Sequence, residues 1–199
     1  GIPVARVAPA GSAREAERVA ERFTFPVVVK AEIPHKTDKG LVKINLNAKS
    51  AVKAAYREIS GKLKATPGGA GKRVLIQEMV QGGIEVIIGV KNDPVFGPTI
   101  LFGMGGILTE VMNDVSLRVC PLTREDCREM MSEVKGIRLL KGFRGQGPYD
   151  IAAVEETLLS VSNLACQLSS RLSELDINPL VVLPGGQGVR AVDALAVFN

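Results

Sequence analysis

Residues 73 to 102 leave no room for a helix. The run Arg73-Val74-Leu75-Ile76-Gln77-Glu78-Met79-Val80 reads as a strand, Gln81-Gly82-Gly83 breaks it, and Ile84 to Val90 starts a second strand at once. Asn92-Asp93-Pro94 then turns the chain into a third strand near Pro98 to Phe102. Strands joined this closely pair antiparallel, because a parallel pair needs a crossover of a dozen or more residues. The block therefore marks a change of architecture and predicts two lobes, residues 1–80 and residues 81–199.

The first lobe mixes helices with strands. Ser12-Ala13-Arg14-Glu15 is a capping box, and Ala16, Val19, Ala20 and Phe23 form the apolar stripe of the helix it opens. Pro26 stops that helix and the strand Val27 to Ala31 begins. Leu41 to Leu46 alternates like a half-buried strand, and Val52, Ala55, Tyr56, Ile59 and Leu63 recur at helical spacing. In the second lobe Thr123 and Asp150 sit at helix starts, ahead of stripes through Cys127, Met130, Met131 and Val134 and through Ile151, Val154, Leu158, Val161, Ala165 and Leu168. The fold class is α/β of the α+β kind, in two mixed lobes.

At 199 residues and 46% apolar composition the chain can bury a core as one domain or as two small lobes. It shows no apolar run of the roughly 20 residues that a membrane span needs, and its N-terminus has no signal-peptide pattern. Cys120, Cys127 and Cys166 are odd in number and lack C-x-x-C spacing, which points to a reducing, cytoplasmic setting. The net charge of +4 is not gathered into one basic tract, and with no Trp and 4% aromatic residues there is little to stack on bases. Small anionic ligands are favoured over nucleic acid.

Two regions carry polar chemistry. His35, the single histidine, follows an apolar strand and lies among Lys30, Lys36, Lys39 and Lys43. An imidazole in such a setting suits proton or phosphoryl transfer, and the lysines suit a polyphosphate. Lys30 ends the strand, where its stem can be buried and its ammonium can reach phosphate oxygens. Downstream, Ser173 to Val182 puts Glu174, Asp176 and Asn178 on one face of a strand and Leu175 and Ile177 on the other. Pro184-Gly185-Gly186-Gln187-Gly188 turns the chain, Val189 to Ala194 returns, and Asn178 falls opposite Asp193 within one residue. Two oxygen donors so placed can share Mg²⁺ if a nucleotide completes its shell. The Glu78-Met79-Val80 edge can hydrogen-bond a planar base, with Glu85 just beyond the break. Taken singly, each pattern also fits an ordinary surface histidine, a strand-end lysine or a solvated strand face.

Their order is more telling. Lys30 at a strand end, the P-H-K-T-D-x-G turn at 34–40, Q-E-M-V at 77–80 followed by G-x-E, D-P-x-F-G-P at 93–98, G-x-G-G at 103–106, L-x-G-x-R-G at 140–145, E-L-D-x-N-P-L at 174–180 and a final V-D-A succeed one another along nearly the whole chain. This succession resembles the ATP-grasp domain of NDP-forming acyl-CoA synthetases, the group of ADP-forming acetyl-CoA synthetase. The resemblance implies an ATP-grasp fold whose two lobes clasp ATP or ADP with Mg²⁺. It implies that Lys30 contacts the phosphates, that Glu78, Met79 and Val80 receive the adenine, and that Glu85 lies near the ribose. It further implies that Asn178 and Asp193 hold Mg²⁺, that Asp176 faces an incoming phosphohistidine, and that His35 is a second phosphoryl carrier. Arg144 and Gly105-Gly106 match the pattern without a defined role.

The chain departs from the family where Gly40 is followed by Leu41 instead of a second glycine. It also contains neither a CoA-binding nor a ligase domain, so a partner subunit or the rest of a longer polypeptide is expected to supply the acyl-CoA or carboxylic acid. The expected activity is that of an acid-thiol ligase. The alternatives are a non-catalytic nucleotide-sensing module of a larger protein, such as a protein acetyltransferase, and a carboxylate-amine ligase.

Overall fold

The computed structural model describes residues 1–34, 36, 39–106, 114–142 and 147–199. His35 and Arg144 lie outside the described residues. The chain forms two compact units, Ala5–Met79 and Gly1–Val4 together with Val80–Asn199. The units divide between Met79 and Val80, and the first four residues go with the second unit. Pro3 accepts a hydrogen bond from the Ala191 amide at 2.8 Å, and Val4 bridges Ala191. A backbone partner nearly two hundred residues away decides this placement.

The unit Ala5–Met79 contains β1 (Val7–Ala10), α1 (Ala13–Ala20), β2 (Val27–Ala31), β3 (Val42–Leu46), α2 (Lys49–Ala65) and β4 (Val74–Glu78). Its antiparallel sheet runs β1-β4-β2-β3. Ser12 caps α1 by accepting from the Glu15 amide, while Glu15 Oε2 accepts from the Gly11 amide at 2.8 Å, so the reciprocal bond falls one residue earlier than in a standard capping box. Val52, Ala55, Tyr56, Ile59 and Leu63 of α2 pack with Val27, Val29 and Ala31 of β2 and Val74 and Ile76 of β4 in one apolar cluster. With a period of two, Val28 and Lys30 point to the other face of this sheet.

In the second unit β5 (Ile84–Asp93), β6 (Gly97–Met104) and β7 (Val115–Val119) form the antiparallel block, followed by α3 (Arg124–Glu133), α4 (Ile137–Leu140) and α5 (Ile151–Gln167). The chain ends with β8 (Leu172–Val182), β9 (Val189–Ala191) and β10 (Ala194–Phe198). The sheet order is β10-β8-β5-β6-β7, with β9 also on β8. Thr123 and Asp126 form a capping box on α3. Asp150 caps α5 through Oδ1 on the Ala153 amide at 3.1 Å and ties the 184–188 turn through Oδ2 on the Gly188 amide at 2.9 Å. The helices cover one sheet face, burying Val86, Ile88, Ile100, Phe102, Leu175 and Ile177 against Met130, Val154, Leu158 and Val161. Burying each such side chain contributes roughly 1.5–3 kcal/mol before the entropy of ordering it. The residues between them on these strands point to the face turned away from α3 to α5. No described helix is long and apolar enough to cross a membrane.

Candidate functional site

Strand β8 delivers the polar row. Glu174, Asp176 and Asn178 are exposed while Leu175 and Ile177 are buried, so the row lies on the face turned away from the helices. At Asn178-Pro179 the ladder becomes irregular. The Asn178 amide donates to the Asp193 carbonyl at 3.1 Å, and the Val192 amide donates to the Pro179 carbonyl at 3.0 Å. Two successive residues thus bond the same neighbouring segment, where a regular antiparallel ladder would alternate, and Pro179 has no N–H to return. On the other side of β8, the pairing with β5 slips between Val86 and Ile88. Irregularities of this kind re-aim side chains near functional sites.

The return strand is split at the same level. Val189 to Ala194 was expected as one strand, but β9 ends at Ala191 and β10 begins at Ala194, leaving Asp193 in the gap. The register is nevertheless the same on both sides, with Leu180 opposite Ala191 and Ile177 opposite Ala194, so Asp193 stands across from Asn178. Among the described residues no three His, Cys, Asp or Glu groups are placed to hold a metal by themselves. The donor chemistry of one amide and one acid, Asn178 and Asp193, fits a hard cation whose shell a phosphorylated ligand completes.

The electrostatics also fit. Partial loss of solvation beside the sheet, and secondarily the negative charge of Asp193, push the Asp176 carboxyl above its ordinary range. The native state therefore binds this proton more tightly than the unfolded chain, and the associated stability is lost as pH rises through the window above 3.8. In the presence of a chelator, Asp176→Asn is expected to raise Tm at pH 7, with the gain shrinking to nothing as pH falls below that window. Thermal unfolding as a function of pH checks this, and an equal or lower Tm for the variant at pH 7 would refute the crowding.

Glu85 lies on the same face of the sheet, exposed, two residues beyond the Gly82-Gly83 break. It is four residues along β5 from Gly89, the partner of Asp176, which is about 13 Å at strand rise. Its carbonyl accepts from the Gly105 amide at 2.7 Å, and a Cβ at Gly105 would fall 2.7 Å from Glu85 Cβ. Gly105 is therefore required by close approach of the two backbones.

The remaining expected residues belong to the other unit or to the connection. Lys30 is 6% exposed in β2, between Leu75 of β4 and Val42 of β3, and is the one charged residue of a strand buried at every position. Glu78 is the last residue of β4, and the chain passes to the second unit between Met79 and Val80. Its carboxylate is held by Arg6, through the Arg6 amide at 2.8 Å and Nε at 2.6 Å. The sequence reading missed Arg6, because its partner is 72 residues away and no local pattern announces the pair.

The ATP-grasp domain family matches residues 1–197. The chain belongs to the ATP-grasp family. Within it, the chain is 39% identical over 203 residues to the β subunit of ADP-forming acetate–CoA ligase II of Pyrococcus furiosus, covering 100% of this chain and 86% of that one. It is 44% identical over 200 residues to ADP-forming acetate–CoA ligase I of Archaeoglobus fulgidus, covering 95% of this chain and 29% of that longer one. A solved structure of the dinucleotide-forming acetyl-coenzyme A synthetase 1 of Ca. Korarchaeum cryptofilum aligns with TM-score 0.83 and 38% identity, over 100% of this chain and 86% of that one. That structure is a complex with coenzyme A and Mg-AMPPCP, its phosphohistidine segment pointing towards the nucleotide binding site. The ATP-grasp chain is thus homologous to β subunits of ADP-forming acetyl-CoA synthetases, and spans under a third of the longer ligase.

Proposed function

We propose that this chain is the nucleotide-binding part of an ADP-forming acyl-CoA synthetase, passing a phosphoryl group between a phosphohistidine and ADP during acyl-CoA + ADP + phosphate = acid + CoA + ATP. The observation that carries the reading is the Asn178–Asp193 pair at the irregularity of β8, with Asp176 beside it under a raised pKa. The similarity to β subunits, and the phosphohistidine segment and nucleotide analogue in the homologous structure, support it. A partner carrying the CoA-binding and ligase domains supplies the acyl-CoA or acid, and the complex works in the cytoplasm without binding nucleic acid.

In the forward transfer a terminal oxygen of the ADP β-phosphate forms a bond to phosphorus as the phosphorus–nitrogen bond of the phosphohistidine breaks. The imidazole leaves with the bonding pair and becomes neutral by keeping one ring proton. Phosphoryl transfer asks the protein mainly for alignment and charge neutralisation. Lys30 supplies a fixed positive charge to the phosphates from a rigid central strand. Asp176 accepts a hydrogen bond from the imidazole N–H and so sets which ring nitrogen carries phosphorus. His35 is the second carrier, with Lys36 offsetting its added charge. Asn178 and Asp193 would hold Mg²⁺, which supplies neutralisation of charge on the phosphate oxygens when bound. The main chain of Glu78, Met79 and Val80 takes the adenine and Glu85 the ribose.

Calorimetric titration of the chain with ADP and Mg²⁺ tests the nucleotide site. Binding is expected at one site and is expected to weaken when Mg²⁺ is removed. A folded chain that takes up no Mg-ADP would contradict the proposal.

A further inference from the structure

We infer that Arg6 is a positioning residue for the nucleotide base, acting through Glu78 on the main chain of Glu78 to Val80. The inference rests on the nucleotide reading above. Arg6 stands opposite Glu78 in the register that pairs Val7 with Gln77. The Glu78 amide donates to the Arg6 carbonyl at 2.9 Å, as one half of a regular hydrogen-bonded pair. The other half is altered, because the Arg6 amide donates to Glu78 Oε1 at 2.8 Å and Arg6 Nε donates to Oε2 at 2.6 Å.

Both carboxylate oxygens are engaged by one residue. The Glu78 side chain is thus folded back onto the β1 side, and the strand ladder ends in a clamp at the point where Met79 and Val80 leave β4. A second contact orients the clamp, since the Arg6 guanidinium lies 5.4 Å from the centre of the Phe23 ring. The Arg6 side chain is 60% exposed, so the pair adds little to global stability. Its geometry acts on direction. It fixes where the carbonyls and amides of the next two residues point, and those groups read a base edge.

The test measures Mg-ADP affinity of the whole chain, and KM for ADP with the ligase partner present, in unaltered protein, Arg6→Ala, Arg6→Lys and Arg6→Ala/Glu78→Gln. Arg6→Ala is expected to raise Kd and KM for ADP about tenfold, with kcat the lesser change and Tm nearly kept. Arg6→Lys should recover part of the affinity, and the double variant should bind no worse than Arg6→Ala because the two residues act as one unit. Unaltered affinity in a folded Arg6→Ala chain, or loss of kcat and Tm together without a rise in KM, overturns the inference. Failure of the unaltered chain to bind Mg-ADP overturns the nucleotide reading itself.

Discussion

Asp193→Ala is expected to lower ATP formation from acyl-CoA, ADP and phosphate by about 10³-fold while the chain stays folded. The size follows from what Asp193 contributes. Asp193 stands opposite Asn178 in the backbone register, and the two are the donors proposed for Mg²⁺, so the alanine leaves a single neutral amide. The fold survives because the bond that joins Asp193 to Asn178 uses the Asp193 backbone carbonyl, which alanine keeps. A second signature belongs to the same variant. Removing the Asp193 charge takes away one of the two causes that hold Asp176 above its ordinary range, so Asp176 should titrate lower in Asp193→Ala. Steady-state rates against Mg²⁺ concentration, with NMR titration of the Asp176 carboxyl, check both. A near-normal rate at low Mg²⁺ would remove Asp193 from the site.

Lys30→Met is expected to reduce turnover by about 10²–10³-fold, with a raised KM for nucleotide and the native fold retained. Methionine keeps the length and volume of the lysine stem in a strand where every residue is buried, so packing changes little. What is lost is a positive charge held by β2 in the middle of the four-stranded sheet. Arginine should not restore activity, because its larger planar guanidinium must fit a position where the native side chain is only 6% exposed. Turnover and thermal unfolding of the two variants test this. Full activity in Lys30→Met would mean that the buried ammonium serves the sheet and not the phosphates.

The parts of the fold legible in the sequence are those written in local periodicity. The alternation from Glu174 to Asn178 placed the polar row on one strand face, and the stripe from Val52 to Leu63 picked out the buried side of α2, because neighbours along one element set both patterns. The Pro184 to Gly188 turn carried enough register to put Asn178 across from Asp193. What local pattern could not show depends on segments far apart in sequence. The break between β9 and β10 arises where a proline that cannot donate meets a register slip on the opposite side of β8. The transfer of Gly1–Val4 to the second unit depends on β9, and the Arg6–Glu78 clamp depends on two strands joined only in the folded sheet. The motif order added what periodicity lacked, and it pointed to the family that the whole chain matches.

The central proposal is that a phosphoryl group travels between histidine and nucleotide on this chain. Incubating the chain and its CoA-ligase partner with labelled Mg-ATP, isolating each polypeptide and then adding unlabelled ADP tests it most directly. Acid-labile, alkali-stable phosphate is expected on His35, which ADP recovers as ATP, and His35→Ala is expected to lose both that label and acyl-CoA-driven ATP synthesis. An unlabelled His35, together with a His35→Ala complex that makes ATP at the unaltered rate, would contradict it.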